Sequence, residues 1–291
     1  MSTKTIRQHF AGYAFIFPAF LLLAVVTVFP YLDVVFLSFQ KTSYGVVTKF
    51  VGLKNFINVL KDSRFLLVIK NQALIIVISG FFQVFFGFSG ALALSRSSKG
   101  SYLLRSIILI PYVIPGVVSG LLWKWILDGN SGVLNMLLVI TGLSDEYIPF
   151  LSDSRYALAC IIIVNIWRIF PFMMVMYLSG LQGIPEEQYE AACMDGATEL
   201  QRLRYVTLPN MRPIIVLTVI LATIWNFKIF DIVWVLTKGG PANASEVFST
   251  LIYKSSFFDM NFGFASAAAV IMAIIISIPI FLNLRHSKNN A

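Results

Sequence analysis

The chain has 291 residues, 58% of them apolar and 12% charged, with a formal charge of +8 and a mean hydropathy of +0.81. Soluble domains carry about 45–50% apolar and about 25% charged residues, so this composition excludes an ordinary water-soluble core and points to a bilayer. The positive charge does not indicate nucleic acid, because the basic residues flank apolar runs and form no aromatic-interleaved patch. Cys160 lies in an apolar run and Cys193 in a polar one, too few and too differently placed for a disulfide framework or a metal site.

Six apolar windows follow in chain order, near residues 12 to 38, 68 to 94, 104 to 127, 157 to 180, 213 to 236 and 264 to 284. Each is long enough to cross about 30 Å of hydrocarbon as a helix, which predicts an all-α integral membrane protein with six transmembrane helices. The first is too long for the apolar part of a signal peptide and lacks a small-residue cleavage site, so it is expected to stay as a helix. A helix in lipid satisfies its own backbone, so Pro18, Pro115, Pro171 and Pro279 are expected to kink their helices rather than end them. Residues 1–66 are assigned the first span and an outer loop, 67–286 a core of five spans, and 287–291 a tail.

Lysines and arginines in short loops set the orientation. Lys4 and Arg7, then Arg96, Lys99 and Arg105, then Arg202, Arg204 and Arg212, and finally Arg285 and Lys288 alternate so that both termini are expected in the cytoplasm. The third loop, with Asp128, Asp145, Glu146 and Asp153 against Arg155, fits the outer face. The first loop departs from the pattern, since Lys41, Lys49, Lys54, Lys61 and Arg64 outnumber Asp62 where helix counting places an external segment. There Leu53, Phe56, Ile57 and Leu60 recur at helical spacing, which predicts an amphipathic helix on the outer membrane surface with its lysines solvated. Trp123 and Trp125 are expected to anchor the third helix at the interface, and His9 and His286, which flank the first and last helices, to be solvated or at headgroups rather than catalytic.

The fourth loop, GIPEEQYEAACMDGATELQRLRYVTLPNMRP, is too ordered for a simple connector. Pro185 suits a first helical position, Glu186 and Glu187 complement the positive end of the helix dipole, and Asp195-Gly196 supplies a left-handed stop. Tyr189, Ala192 and Cys193 share one face of this helix and Glu187, Glu190 and Met194 the other. The helix can therefore rest on its own membrane domain and offer the opposite side to a partner. A second helix from about Thr198 to Val206 is expected to stop at Leu208-Pro209. No G-x-x-x-x-G-K-[ST] loop or other catalytic signature occurs, and the loops leave no room for a nucleotide-binding domain.

The order Glu190-Ala191-Ala192, three residues, Gly196, nine residues, then Val206-x-Leu208-Pro209 resembles the EAA signature of binding-protein-dependent ABC importer permeases, with Val206 in place of the usual isoleucine. The resemblance implies a type I ABC importer permease fold. It also implies that Glu187, Glu190, Ala191, Ala192, Asp195, Gly196, Leu208 and Pro209 belong to a coupling loop, 184–210, that docks into a cytoplasmic ATPase. Glu190 would be the charged contact and Gly196 the bend. VGLKNFINVLKDSRF, LIPYVIPGVVSGLLWKWIL, WRIFPFMMVMYLSGLQGIP and FDIVWVLTKGGPANASEVFSTLIYKSSFF extend the likeness over nearly the whole chain. They are similar to the larger-subunit type in carbohydrate importers, as in maltose and glycerol-3-phosphate permeases. Leu200 and Leu203 depart from that type, which has aromatic residues there.

From the resemblance follow a permease without enzyme activity or a cofactor of its own, and a set of partners. These are an ATPase dimer that binds ATP and magnesium, a second homologous permease, an extracytoplasmic solute-binding protein, membrane lipid and a saccharide. The saccharide would be an oligosaccharide, a disaccharide, or a sugar or glycerol phosphate, carried across the cytoplasmic membrane of a prokaryote by alternating access.

Ionisable groups inside spans are costly and therefore functional suspects. In the fourth helix Asn165, Arg168 and Phe172 fall on one face, and in the fifth Lys228 and Asp231 share a face. With Trp225, Asn226 and Phe230 they form a candidate wall of a watery passage, where hydroxyls are hydrogen-bonded and sugar rings stack on aromatics. The same residues also admit an Arg168–Asp231 ion pair that holds helices together. The alternative function is a secondary transporter or channel for a small polar solute, but the spans offer mainly Asp231 as an ion-coupling carboxylate. A membrane-embedded enzyme would need clustered ligands or a nucleophile with its base, and the sequence has neither.

Overall fold

The computed structural model describes residues 16–95 and 101–288. Lys4, Arg7, His9, Arg96 and Lys99 lie outside the described residues. In chain order come α1 (Ile16–Ser38), a hairpin of β1 (Gln40–Ser43) and β2 (Val46–Phe50), α2 (Lys54–Lys61), α3 (Phe65–Ser95), α4 (Ser101–Val113) and α5 (Gly116–Ile126). Then follow α6 (Val133–Ile140), α7 (Ala157–Gln182), α8 (Glu186–Met194), α9 (199–227), α10 (Asp231–Leu236), α11 (Phe248–Phe257) and α12 (Phe262–Lys288). Long enough and apolar enough to cross a bilayer are α1, α3, α7, the run Glu199–Leu236 and the stretch Phe262–Pro279.

The third expected span is broken, not kinked: α4 and α5 meet at 95°. Pro115 caps α5 with φ −53° and ψ 142°, an extended conformation. Its ring offers no N–H and disfavours helix in the residue before it, so the expectation of a kink at Pro115 is corrected to two half-helices. Pro171 and Pro279, in contrast, lie inside continuous helices.

The described residues pack as two units, one built from the chain up to Asp62 with Ile252–Ile274, the other from Ser63–Leu251 with the chain after Ile275. In the first unit the apolar stretch of α1 stays exposed. The hairpin was not anticipated by the sequence reading. Tyr44 and Gly45 both adopt positive φ, 48° and 83°, which is the two-residue turn whose twist matches paired strands, and Ser43 pairs with Val46. The predicted amphipathic helix exists as α2, but its buried residues are Asn55 and Val59. The Asn55 amide donates to the Ser38 and Gln40 carbonyls at 2.9 and 2.8 Å, while Leu53, Ile57 and Leu60 remain exposed as the expected apolar face.

The second unit is built on α3 against α7. A Cβ added at Gly87 would lie 2.7 Å from the Met173 Cβ, and one at Gly90 would lie 3.2 Å from the Met174 sulfur, so these glycines set the helix separation. Around this contact Ala91, Met173, Met174, Tyr177 and Met211 form one buried cluster; Ile75, Ile161, Val164, Ile232 and Val233 form another. Trp123 packs on the second cluster with its ring T-shaped to Trp167 at 5.5 Å. Of the two tryptophans expected at the interface, only Trp125 is exposed.

Candidate functional site

The loop after α7 forms α8 with Pro185 at its N-cap, one position before the first helical residue, and with Glu186 and Glu187 in its first turn. Gly196 adopts φ +72°. Its N–H donates to the Cys193 carbonyl at 3.0 Å and the Ala197 N–H donates to the Ala192 carbonyl at 2.9 Å, the paired bonds of a glycine-terminated helix. The next helix starts at a reciprocal cap: the Thr198 hydroxyl accepts from the Gln201 N–H, and the Gln201 side chain accepts from the Thr198 N–H.

That second helix does not stop at Leu208-Pro209. It passes through a π-turn, Leu203–Thr207, and continues as α9 to Phe227. Within the turn the ladder shifts by one residue, with the Leu208 N–H reaching the Leu203 carbonyl. The donor that Pro209 lacks thus falls where pairing is already irregular, and the helix continues past it.

Two side-chain bonds tie α8 to α9. The Tyr189 and Thr207 hydroxyls lie 3.0 Å apart, and the Asn210 amide donates to the Gln188 side-chain carbonyl at 2.8 Å. Tyr189 and Ala192 are half-buried on this inner face, whereas Glu187, Glu190, Ala191 and Asp195 are exposed. Cys193, expected on the inner face, is exposed. Met194, 89% exposed, adds an apolar side chain to the acidic outer surface, and Leu200 and Tyr205 of α9 are exposed as well. Leu208 and Pro209 are exposed at the start of the longer part of α9.

The candidate passage residues largely converge. A cavity of about 330 Å³ is lined by Asn165 and Arg168 from α7, Trp225 from α9, Lys228 and Phe230 from the break after it, Asp231 at the start of α10, and Tyr112 from α4. Arg168 lies about 17 Å along a helix roughly 39 Å long, near its middle. Phe172 does not line the cavity but backs it, its ring 5.0 Å from those of Tyr112 and Trp225. Asn226 does not line it either. No ion pair joins Arg168 to Asp231. The Asp231 carboxylate is instead seated against the first residue of α5, so close that a Cβ on Gly116 would lie 2.7 Å from its Oδ2.

Asn226 turns to the helix contacts. Its side-chain oxygen accepts from the Asn165 amide at 2.6 Å and from Gln83 at 3.2 Å, and its own amide donates to the Gln83 oxygen at 3.0 Å. The Gln72 amide donates to the Asn226 backbone carbonyl at 3.0 Å. Asn165, Asn226, Gln72 and Gln83 are all buried, so α3, α7 and α9 are joined by an amide network within an apolar packing, in which the Gln72 side-chain oxygen has no partner among the described residues.

A family model described as the binding-protein-dependent transport system inner membrane component matches residues 83–287, a stretch that holds both the α8 loop and the cavity. The chain belongs to this family. It is thus a permease, a transport component and not an enzyme. The trehalose/maltose transport system permease protein MalF of Thermococcus litoralis is 31% identical to it over 93% of this chain and 91% of that protein. The sulfoquinovosyl glycerol transport system permease protein SmoG of Agrobacterium fabrum is 33% identical over 88% and 83%. A crystal structure of a bacterial ABC transporter involved in the import of the acidic polysaccharide alginate superposes with a TM-score of 0.87 over 98% of each chain at 23% identity. The permease therefore has the type I importer fold and is a multi-pass membrane protein.

Sequence reasoning missed Tyr112, Gln72 and Gln83 in the permease. Gln72 and Gln83 carried a readable signal, amides at three-turn spacing in an apolar window. Tyr112 carried none, because only the bend at Pro115 and the aromatic packing of Phe172 and Trp225 bring it to the cavity.

Proposed function

We propose that this permease forms half of a saccharide-conducting pore in an ATP-driven importer and alternates between inward-open and outward-open states. A second homologous permease supplies the other half. A cytoplasmic ATPase dimer, which holds ATP and magnesium, docks on the exposed side of α8 around Glu187 and Glu190. A solute-binding protein delivers the sugar to the opposite mouth, and both termini of the chain are cytoplasmic. The observation that carries this reading is α9 itself, one continuous helix from the α8 loop to the aromatic and polar cavity. Tyr112 and Trp225 offer ring faces and Asn165 an amide, the mix that recognises sugar hydroxyls and C–H faces. The relatives named for trehalose/maltose and sulfoquinovosyl glycerol transport support a saccharide.

The test is uptake of labelled saccharides by the complete importer in proteoliposomes. ATP-dependent accumulation is expected, together with loss of the ATPase on purification of a Glu190→Lys, Gly196→Pro permease. Uptake without ATP, or an unchanged ATPase stoichiometry in that variant, overturns the reading.

A further inference from the structure

The charged side chains lining the cavity are Arg168, Lys228 and Asp231, and their charges are not neutralised alike. Asp231 occupies the first turn of α10, and its carboxylate also presses on the first residue of α5. A helix N-terminus carries roughly half a positive charge, so the start of α5, against which this exposed carboxylate is seated, offsets part of its charge. Arg168 has no such compensation. It makes no ion pair with Asp231, and its Nε is buried without a hydrogen-bond partner. Lys228 is exposed at the helix break on the same lining. A guanidinium at mid-helix with its Nε buried and unpartnered is costly, and the cost falls if the cargo brings an anion to it.

We propose that the saccharide carried by this permease bears an oxyanion, a carboxylate, phosphate or sulfonate, which Arg168 and Lys228 receive as the sugar passes Tyr112 and Trp225. This rests on the saccharide reading above and adds the charge. Arg168 presents the planar fork that pairs two oxygens of such a group, and Lys228 a point charge beside it.

The complete importer with its own binding protein, reconstituted in proteoliposomes, provides the test, read as the ratio of acidic to neutral uptake so that losses in yield cancel. The probes are a uronate trisaccharide and the neutral trisaccharide of the same linkage; a sugar phosphate and a sulfonated glycoside distinguish the kind of oxyanion. The wild-type ratio is expected to exceed tenfold for at least one oxyanion. Arg168→Gln should lower that ratio by about tenfold, Arg168→Lys should recover much of it, and Asp231→Asn should raise it. Lys228→Gln, a change at an exposed side chain, should lower it severalfold and serves where Arg168→Gln does not assemble. A wild-type ratio near one, or a ratio unmoved by Arg168→Gln and Lys228→Gln, overturns the anionic cargo while leaving a sugar importer in place. Import of none of the probes overturns the saccharide reading beneath it.

Discussion

At Gly196 the backbone holds φ +72° and no atom lies within 4 Å of the position a Cβ would take. A side chain there would cost backbone strain alone, about 1 kcal/mol. Gly196→Ala is therefore expected to leave the membrane core intact and to weaken ATPase retention about fivefold, measured by co-purification. Gly196→Asn, which tolerates the left-handed region, should restore most of it. Wild-type retention in the alanine variant would remove this bend from coupling. A second residue-scale expectation concerns the loop after α5. The Ser131 backbone N–H, followed by the Asn130 N–H and the Ser131 hydroxyl, holds the Asp128 carboxyl below its ordinary 3.8. A depressed carboxylate contributes its stability in full above 3.8 and loses it as pH falls through the lower folded value. Hydrogen exchange around residues 128–132 should thus be faster in Asp128→Asn than in wild type at neutral pH, with the two converging below pH 3.8. Equal exchange at neutral pH would show that the carboxylate does not hold the turn.

At the scale of elements, helix contacts depend on small residues and on amides. A Cβ on Gly120 would lie 2.9 Å from the Val235 Cβ, so α5 and α10 touch there. Gly120→Ala should lower the melting temperature of the purified complex, and Val235→Ala in the same chain should recover part of the loss; additive effects would separate the two positions. Asn226→Leu leaves Gln83 and Asn165 buried without their partner and is expected to cost about 2 kcal/mol, seen as a lower melting temperature. Replacing Gln83, Asn165 and Asn226 together by Leu should cost less than that single change, because no buried amide is then left unpaired. The six apolar windows were legible because hydrocarbon imposes both length and composition on a spanning helix. Pro115 and Pro209 were not legible as individuals. Both interrupt the ladder, yet one breaks a span and the other is absorbed by a π-turn, a difference set by neighbouring packing and register rather than by proline chemistry. The hairpin is weakly legible because its strands are short and carry lysines, although Tyr44-Gly45 before Val46-Val47 is a turn signal.

On the scale of the whole molecule, the α8 loop and the cavity are joined by one continuous stretch of structure, the helix α9. The bond between the Tyr189 and Thr207 hydroxyls ties α8 to it, so Tyr189→Phe should leave ATP hydrolysis largely in place while uptake falls severalfold. Parallel loss of both would mean that the hydroxyl serves folding instead. The loop residues were readable in advance because their spacing repeats a family pattern; their link to α9 was not, since it depends on a helix continuing past Pro209. That continuity sets the size of the stroke. A helix of residues 199–227 is about 43 Å long, and a stiff rod of that length swung by about 10° at its base carries its far end about 7 Å sideways, more than a full helical turn of 5.4 Å. Lys228 follows directly on that far end. A small rotation imposed beneath α8 would therefore be enough to withdraw one wall of the cavity from its contents, with no helix needing to unwind.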